Sequence, residues 1–440
     1  MLTIEQAAER LAAGTTTARA LLEESFSNVA REPLAFMALH HTAARAAADA
    51  QDMLRRAGRA PGRYAGIPVT VKDLFDEAGQ VTRAGSVALN GAAPAAADAP
   101  VVARLQAAGM VVMGRTNMVE FAFSGLGVNP HFGTPTSPYD RATGRLPGGS
   151  SSGAAVAAAD GMGFGGLGSD TGGSCRIPAA LCGVVGYKPT QRRVPLAGAY
   201  PLSFSLDSIG PIARSVACCQ VLDGIIADAP AHHPALPLAG LRLAVLRNFM
   251  EEEMEDAVAR AYAATLSRLS AAGARLTDIR IAEIEALPAL GATGGFAASQ
   301  AWAWHHDLVD GAGDRYDPRI LKRIRRGERM TAENYVALVV GRRQIIQAVA
   351  PQTAPFDAVL SPTCPLTPPA IAAVEEEAEY NRINALLLRN TAVWNFMDRC
   401  SISLPCHRPG EAPVGLMLTG EHGGDGKLFA VARAVEAALA

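Results

Sequence analysis

Apolar residues follow helical and strand periods in turn along the first part of the chain. Leu, Ala and Val recur at helical spacing over residues 4–30 and 42–57. Residues 66–72 have the alternating side-chain pattern of a strand and are rich in β-branched residues. Residues 100–109 have the spacing of a short helix, and residues 110–113 have the pattern of a buried strand. This succession of strand, helix and strand predicts an α/β protein built on a sheet.

The pattern changes in the second half of the chain. Residues 215–350 are mostly helical, a strand pattern returns at 356–363, and helical spacing then continues to Asn395. No linker rich in Gly, Ser or Pro divides the chain, and the sequence contains no internal repeat. We therefore predict one large domain over 1–440, in which a helical excursion interrupts the sheet.

Composition and charge narrow the classes of function. With 40 basic and 42 acidic residues the formal net charge is −2, so no overall field attracts nucleic acid or an anionic membrane. No apolar run reaches the length of about 18 residues that a membrane span needs, and the N-terminus lacks a signal-peptide pattern. The seven cysteines include no C-x-x-C pair, which fits reduced thiols. We expect a cytoplasmic protein that acts on a small molecule.

Glycine is concentrated in one segment. Thirteen of the 43 glycines fall within residues 144–186, where an even spread would place about four. The serines of Gly-Gly-Ser-Ser-Ser at 148–152 precede an Ala-rich run, which places them at the N-terminus of a helix. Gly172 and Gly173 precede Ser174, and glycines there allow successive N–H groups to converge on one point, as an oxyanion requires.

Other local matches in the same region give weaker assignments. Residues 149–153 satisfy G-x-S-x-G without the preceding strand, and 163–168 satisfy G-x-G-x-x-G without the following helix. Residues 183–190 resemble a phosphate loop with the wrong spacing.

Six of the nine histidines form adjacent pairs, whose side chains point in different directions and do not form a metal site. We predict no metal site and no cofactor.

A basic tract occupies residues 319–329. Its six Lys and Arg residues would suit an RNA-binding patch. Its apolar residues, however, recur at helical spacing, which favours the solvated face of a helix. We therefore predict an exposed helix here and no contact with nucleic acid.

Four motifs of the chain resemble those of the amidase signature family. Ser150 and Ser174, which two of the motifs contain, are 24 residues apart, and this spacing also fits the family. The resemblance covers nearly the whole chain and is weakest over 215–350. The motifs are Gly-Ile-Pro-Val-Thr-Val-Lys-Asp at 66–73, Gly-Gly-Ser-Ser at 148–151, Asp-Thr-Gly-Gly-Ser-Cys-Arg-Ile-Pro at 170–178 and Cys-Gly-Val-Val-Gly-Tyr-Lys-Pro-Thr at 182–190.

The resemblance implies an α/β fold in which a central mixed sheet is covered by helices on both faces. It implies a signature core at 60–215 and a variable region at 215–350 that shapes the substrate pocket. It also implies an amidohydrolase that cleaves the C–N bond of a small carboxamide or urea-like amide through an acyl-enzyme, releasing ammonia or an amine.

The resemblance also implies roles for single residues. Ser174 is the nucleophile, Ser150 is a relay held by a cis peptide bond after Gly149, and Lys72 is the final base. Because a lysine accepts a proton only when neutral, the pKa of Lys72 must lie far below its reference of about 10.4. The implied oxyanion hole consists of Thr171, Gly172, Gly173 and Ser174, and the supporting residues are Ser151, Asp170 and Arg176.

Contacts with the substrate are predicted by analogy with the family. Arg83 or Arg176 would suit an acyl group that carries a carboxylate, because a guanidinium binds carboxylates well. The other residues predicted to line the acyl pocket are Phe121, Phe123, Leu126, Asn129 and His131.

Two further functions stay open at this stage. The chain could be the glutaminase subunit of a tRNA-dependent amidotransferase, although 192–204 depart from the pattern of such proteins and the near-neutral charge argues against tRNA contact. It could also be a catalytically inactive homologue, which the presence of Lys72, Ser150 and Ser174 argues against. Both the amidohydrolase and the glutaminase subunit could form a homo-oligomer or bind a small accessory subunit.

Overall fold

One mixed sheet of eleven strands organises residues 1–229 and 233–440, the part of the chain that the computed structural model describes. The spatial order is β1-β3-β2-β4-β6-β5-β10-β11-β9-β7-β8. Strand β2 is parallel to β3 and β4, and β7 is parallel to β8 and β9, whereas the other neighbours are antiparallel. The strands are β1 (Phe36–Leu39), β2 (Pro68–Lys72), β3 (Val111–Thr116), β4 (Gly165–Ser169), β5 (Val185–Lys188), β6 (Ile209–Ala213), β7 (Arg242–Leu246), β8 (Arg275–Ile279), β9 (Ala358–Pro362), β10 (Ser401–Pro405) and β11 (Gly415–Thr419).

Helices flank this sheet, and none in the described ranges combines the length and apolarity that crossing a bilayer requires. In chain order they are α1 (Ile4–Ala12), α2 (Ala18–Asn28), α3 (His41–Arg56), α4 (Pro100–Ala107), α5 (Ser152–Asp160), α6 (Arg176–Cys182), α7 (Val216–Ala227), α8 (Asp256–Ala271), α9 (Leu287–Leu290), α10 (Gly295–Ala312), α11 (Pro318–Arg325), α12 (Ala332–Thr353), α13 (Glu377–Phe396) and α14 (Asp425–Leu439).

The predicted elements are present, with two differences. Residues 4–30 divide into α1 and α2, because Thr17 caps α2 by accepting a hydrogen bond from the N–H of Ala20. Residues 215–350 are mostly helical, but they also contain β7, which pairs with β9 in the same sheet, and β8, which pairs with β7 at the edge. The sheet is therefore extended rather than interrupted there. The short apolar run of β7 carries no periodicity that separates a strand from a helix.

The glycine-rich segment forms the close-packed centre of the molecule. Strand β4 has the sequence Gly-Gly-Leu-Gly-Ser and is fully buried. At Gly168 a Cβ atom would lie 2.7 Å from Oγ of Ser151 and 2.9 Å from Sγ of Cys175, closer than real Cβ contacts allow. Glycine here lets the N-termini of α5 and α6 approach the strand.

The strand register brings two polar positions together. In the parallel pair of β2 and β4, Val71 lies opposite Leu167. Lys72 ends the first strand and Ser169 ends the second. Because parallel strands end at the same edge of a sheet, Lys72 meets the loop that leads from β4 to α6.

Candidate active site

Lys72 is fully buried at the end of β2, with hydroxyl groups as its hydrogen-bond partners. Its Nζ donates to Oγ of Ser150 at 2.7 Å and to Oγ of Ser169 at 2.8 Å. Burial disfavours the charged form and lowers the pKa of Lys72 to about 7. A lysine with this pKa can exchange a proton with a neighbouring hydroxyl at neutral pH.

The turn that carries Ser150 is bonded to the loop after β4. The peptide bond between Gly149 and Ser150 is cis, and Ser150 is fully buried. The N–H of Ser151 donates to the carbonyl of Ser174 at 3.2 Å. The Ser151 hydroxyl donates to the carbonyl of Ser169 at 3.3 Å. The serine turn and the loop therefore form one bonded unit around Lys72.

Free backbone donors surround Ser174. Within the described residues, the N–H groups of residues 171–174 donate to no protein acceptor. Gly173 has a φ of +137°, and a Cβ atom there would overlap the side chain of Thr391. The Thr391 hydroxyl donates to the carbonyl of Gly172 at 2.6 Å. Four free donors beside a serine hydroxyl can stabilise an oxyanion.

A buried network of charged and polar side chains holds the loop between β4 and α6. Arg176 donates from Nε to Oδ2 of Asp170 at 3.0 Å and from Nη2 to Oδ1 at 2.9 Å. The amide of Asn395 donates to Oδ1 of Asp170 at 2.8 Å. Although burial opposes it, the charge and hydrogen bonds of Arg176 lower the pKa of Asp170 to about 2. Arg176 is fully buried in this network, where its charge is paired with Asp170, and it is placed to support the loop.

Ser174 opens into a cavity of about 260 Å³. Most of the wall is apolar, and Arg323 is the charged side chain among its described lining residues. Arg323 also lines an adjoining recess of about 450 Å³ that is rich in basic side chains, namely Arg319, Lys322, Arg323 and Arg326. The apolar lining of the first cavity includes Phe123, Leu202, Leu206, Leu287, Phe296, Leu338, Leu388 and Phe396.

Arg323 departs from the solvated face predicted for residues 319–329. On α11 it lies beside Ile324, which is buried. Its Nη1 donates to the carbonyl of Phe123 at 2.9 Å, and its guanidinium lies 5.8 Å from the ring centroid of Tyr380. Among the described residues it makes no ion pair, and burial lowers its pKa. A charged residue without a carboxylate partner therefore lines the cavity.

The residues predicted to contact substrate lie in different places. Phe123 lines the cavity. Phe121 is not among the described lining residues, and its ring packs against Tyr200, His305 and Tyr316. Leu126 and Asn129 are fully buried, and the Asn129 amide donates to the carbonyls of Gly85 and Met118. Arg83 donates to Oδ1 of Asn90 at 3.2 Å near the surface, and Nε2 of His131 lies 3.1 Å from Oε1 of Glu120.

Sequence reasoning missed several residues of the site. Ser169 stands directly before the Asp170 motif, so its position was an available signal. Asp207 accepts a hydrogen bond from the Thr171 hydroxyl at 2.6 Å, and its burial raises its pKa to about 6. Thr391 is 219 residues from Gly172 and carries no local signal.

Comparison with known proteins identifies the family of the chain. The sequence model of the Amidase family matches residues 20–429. The 2-amino-5-chloromuconic acid deaminase of Comamonas testosteroni is 35% identical over 452 residues, which covers 100% of this chain and 96% of that protein. The chain belongs to the amidase family.

Two further proteins are similar to this chain over nearly its whole length. The crystal structure of an amidase superposes with a TM-score of 0.91 at 32% identity and covers 100% of both chains. A glutamyl-tRNA(Gln) amidotransferase subunit of Chloroflexus aurantiacus (strain ATCC 29366 / DSM 635 / J-10-fl) is 34% identical over 460 residues, covering 95% of this chain and 93% of that protein. From its family and these similarities, the chain is an enzyme that hydrolyses amides.

Proposed function

We propose that this enzyme hydrolyses a small amide whose acyl part carries a carboxylate. Ser174 attacks the amide carbonyl carbon while its proton passes to Ser150, and the proton of Ser150 passes to neutral Lys72. Ser150 then returns a proton to the departing nitrogen as the C–N bond breaks. Water hydrolyses the resulting acyl-enzyme by the same proton route. The observation that carries this proposal is the buried Lys72 bonded to Ser150 beside the cavity that Ser174 lines.

The free N–H groups of residues 171–174 support the same proposal. The negative charge that develops on the substrate oxygen would be met by donors that have no other acceptor among the described residues. A preorganised donor of this kind typically contributes about 3–4 kcal/mol to transition-state stabilisation. The Asp170 and Arg176 network holds these donors in place, so that they need not reorganise during the reaction.

Arg323 supports the choice of a carboxylated acyl group. Arg323 lines the small, mostly apolar cavity and the basic recess beside it, and its guanidinium makes no ion pair among the described residues. Leaving a charge in such a place is unfavourable unless a ligand of opposite charge pairs with it. The relative from Comamonas testosteroni is named for an acid, 2-amino-5-chloromuconic acid. Arg323 thus replaces Arg83 and Arg176 as the proposed carboxylate contact.

Arg323→Met tests the substrate class. Ammonia release is measured with the half-amides of malonic, succinic and glutaric acids and with neutral amides of the same carbon chains, and Ser174→Ala serves as the blank. We expect KM for the preferred half-amide to rise by about tenfold to a hundredfold, as loss of a charge-assisted hydrogen bond implies. Neutral amides should change little.

Arg325→Met is the matched control, because Arg325 is an exposed residue of the same helix. It should leave the discrimination between charged and neutral amides unchanged. Equal losses toward both kinds of amide in Arg323→Met would contradict the proposed carboxylate contact. Activity that survives in Ser174→Ala would contradict the nucleophile.

The second candidate function is that of a glutaminase subunit in a tRNA-dependent amidotransferase. The similarity to the amidotransferase protein from Chloroflexus aurantiacus favours it. Glutamine is itself an amide that carries a carboxylate, so Arg323 alone does not separate the two functions. Release of ammonia from glutamine only after partner proteins and tRNA are added would support this candidate. Turnover of half-amides by the isolated chain would support the first.

A further inference from the structure

The segment from Glu120 to Phe123 contacts α11 near both of its ends. Oε2 of Glu120 accepts a hydrogen bond at 2.7 Å from the N–H of Asp317, the residue that caps α11. The carbonyl of Phe123 accepts from Nη1 of Arg323 at 2.9 Å, near the other end of the helix. Two bonds from one short turn therefore fix the helix on which Arg323 lies.

Glu120 is in turn fixed by the core. It is fully buried, and its Oε1 accepts from the hydroxyl of Ser86 at 2.7 Å. Nε2 of His131 lies 3.1 Å from the same oxygen. Burial raises the pKa of Glu120 to about 7 and lowers the pKa of His131, so the neutral ring is favoured and the two side chains meet through a hydrogen bond. A carboxyl group with donors on both oxygens joins two loops of the core to Asp317, the residue that caps α11.

The same turn forms part of the cavity wall. Ala122 and Phe123 line the cavity that contains Ser174. Phe121 and Ala122 have positive φ values of 49° and 59°, a region that residues other than glycine seldom adopt. Such a turn persists where its surroundings hold it, and the Glu120 bonds are among those contacts. The Glu120 bonds therefore bear on the turn whose Phe123 carbonyl holds Arg323.

We infer that Glu120 is a positioning residue: it holds the cap of α11 so that the Arg323 guanidinium faces the cavity and the enzyme prefers anionic acyl groups. The inference rests on the proposed role of Arg323. Glu120 lies outside the described lining of the cavity, so it acts through Asp317 and the helix. A merely structural role would lower activity toward all amides alike.

The test compares Glu120→Ala and Glu120→Gln on the preferred half-amide and its neutral counterpart. Glu120→Ala should raise KM for the half-amide by about tenfold, with kcat changed less than about threefold and the neutral amide nearly unaffected. Glu120→Gln should restore most of the affinity, because its carbonyl can accept from Asp317 while its NH₂ group faces Ser86 and His131. Parallel losses on both substrates would overturn the inference.

Arg323→Met separates this inference from the function on which it rests. Selectivity lost in Arg323→Met but kept in Glu120→Ala overturns the inference alone. Selectivity kept in both overturns the proposed carboxylate contact as well. In the Arg323→Met background, Glu120→Ala should cause no further loss of selectivity, and an additional loss would show a different route. If Glu120→Ala does not fold, Ser86→Ala should shift selectivity in the same direction by a smaller factor, and an unchanged selectivity overturns the inference.

Discussion

Among single residues, Lys72 has a protonation state that is set by burial. Its Nζ contacts two serine hydroxyls, and the pKa near 7 follows from removing the ammonium from water. Its local sequence, a lysine followed by Asp73, equally fits a solvated turn. Lys72 is a candidate base because the two serine motifs occur in the same chain. Its hydrogen bond to Ser169 is evident only in the three-dimensional structure.

The pH dependence of the reaction follows from Lys72. Below its pKa the amine is protonated and cannot accept the proton of Ser150, so we expect kcat/KM to rise with pH through about 7 and then level off. Lys72→Met should lower kcat/KM by about a hundredfold to ten-thousandfold and abolish this rise with pH. The measurement is a pH–rate profile of the wild type and the variant on one amide.

Lys188→Met provides the matched control for that profile. Lys188 is the other fully buried lysine of the core among the described residues, and its Nζ donates to the carbonyl of Pro189 at 2.7 Å. Burial lowers its pKa as well. The rise of kcat/KM with pH should remain in Lys188→Met. If that rise persists in Lys72→Met, the base is another group.

Among the elements, the loop between β4 and α6 depends most on contacts from distant parts of the chain. Asp170 is bonded to Arg176 on α6 and to Asn395 on α13. The carbonyl of Gly172 accepts from Thr391, also on α13. The resemblance to the family indicated the loop, because its motif is contiguous in sequence. Its support from α13 could not be predicted, since helical spacing says which face is buried but not which loop it meets.

Gly173→Ala tests whether the loop geometry governs turnover. A Cβ atom would overlap Thr391, and the φ of +137° disfavours any side chain, so the four N–H groups must shift. We expect kcat to fall by about a hundredfold to a thousandfold, as for loss of an oxyanion donor. Gly410→Ala is the control, because Gly410 has a φ of +86° with nothing within 4 Å. A folded Gly173→Ala enzyme with normal kcat would contradict this geometry.

At the scale of the whole molecule, polar contacts join α14 to the centre of the sheet. Asp425, at the start of α14, accepts from the hydroxyl of Tyr187 at 2.5 Å and from the N–H and hydroxyl of Thr190 at 2.9 and 2.7 Å. Periodicity predicted an α/β domain at this scale, but not β7 and β8, because β7 joins the sheet through β9, more than 100 residues away, and β8 joins it through β7. Long-range pairing of this kind leaves no local pattern.

Asp425→Ala should destabilise the fold without changing the chemistry. Loss of one carboxylate leaves buried donors of Tyr187 and Thr190 unsatisfied, which costs about 2–4 kcal/mol of unfolding free energy. Urea unfolding measures the change, and kcat of the folded enzyme should stay within about twofold. Lys427→Ala, which removes an exposed ion pair with Asp357, should change stability little. Equal stabilities of the two variants would contradict the assigned role of Asp425.

The bond between Thr391 and Gly172 has a consequence for the order in which the protein matures during synthesis. A growing chain has exposed Lys72, Ser150 and Ser174 long before residues 391 and 395 leave the ribosome. Until then the loop lacks its partners from α13, and the wall residues Leu388 and Phe396 are also missing. We expect nascent chains stalled near residue 350 to bind no serine-directed acylating probe, and release of the complete chain to switch that reactivity on.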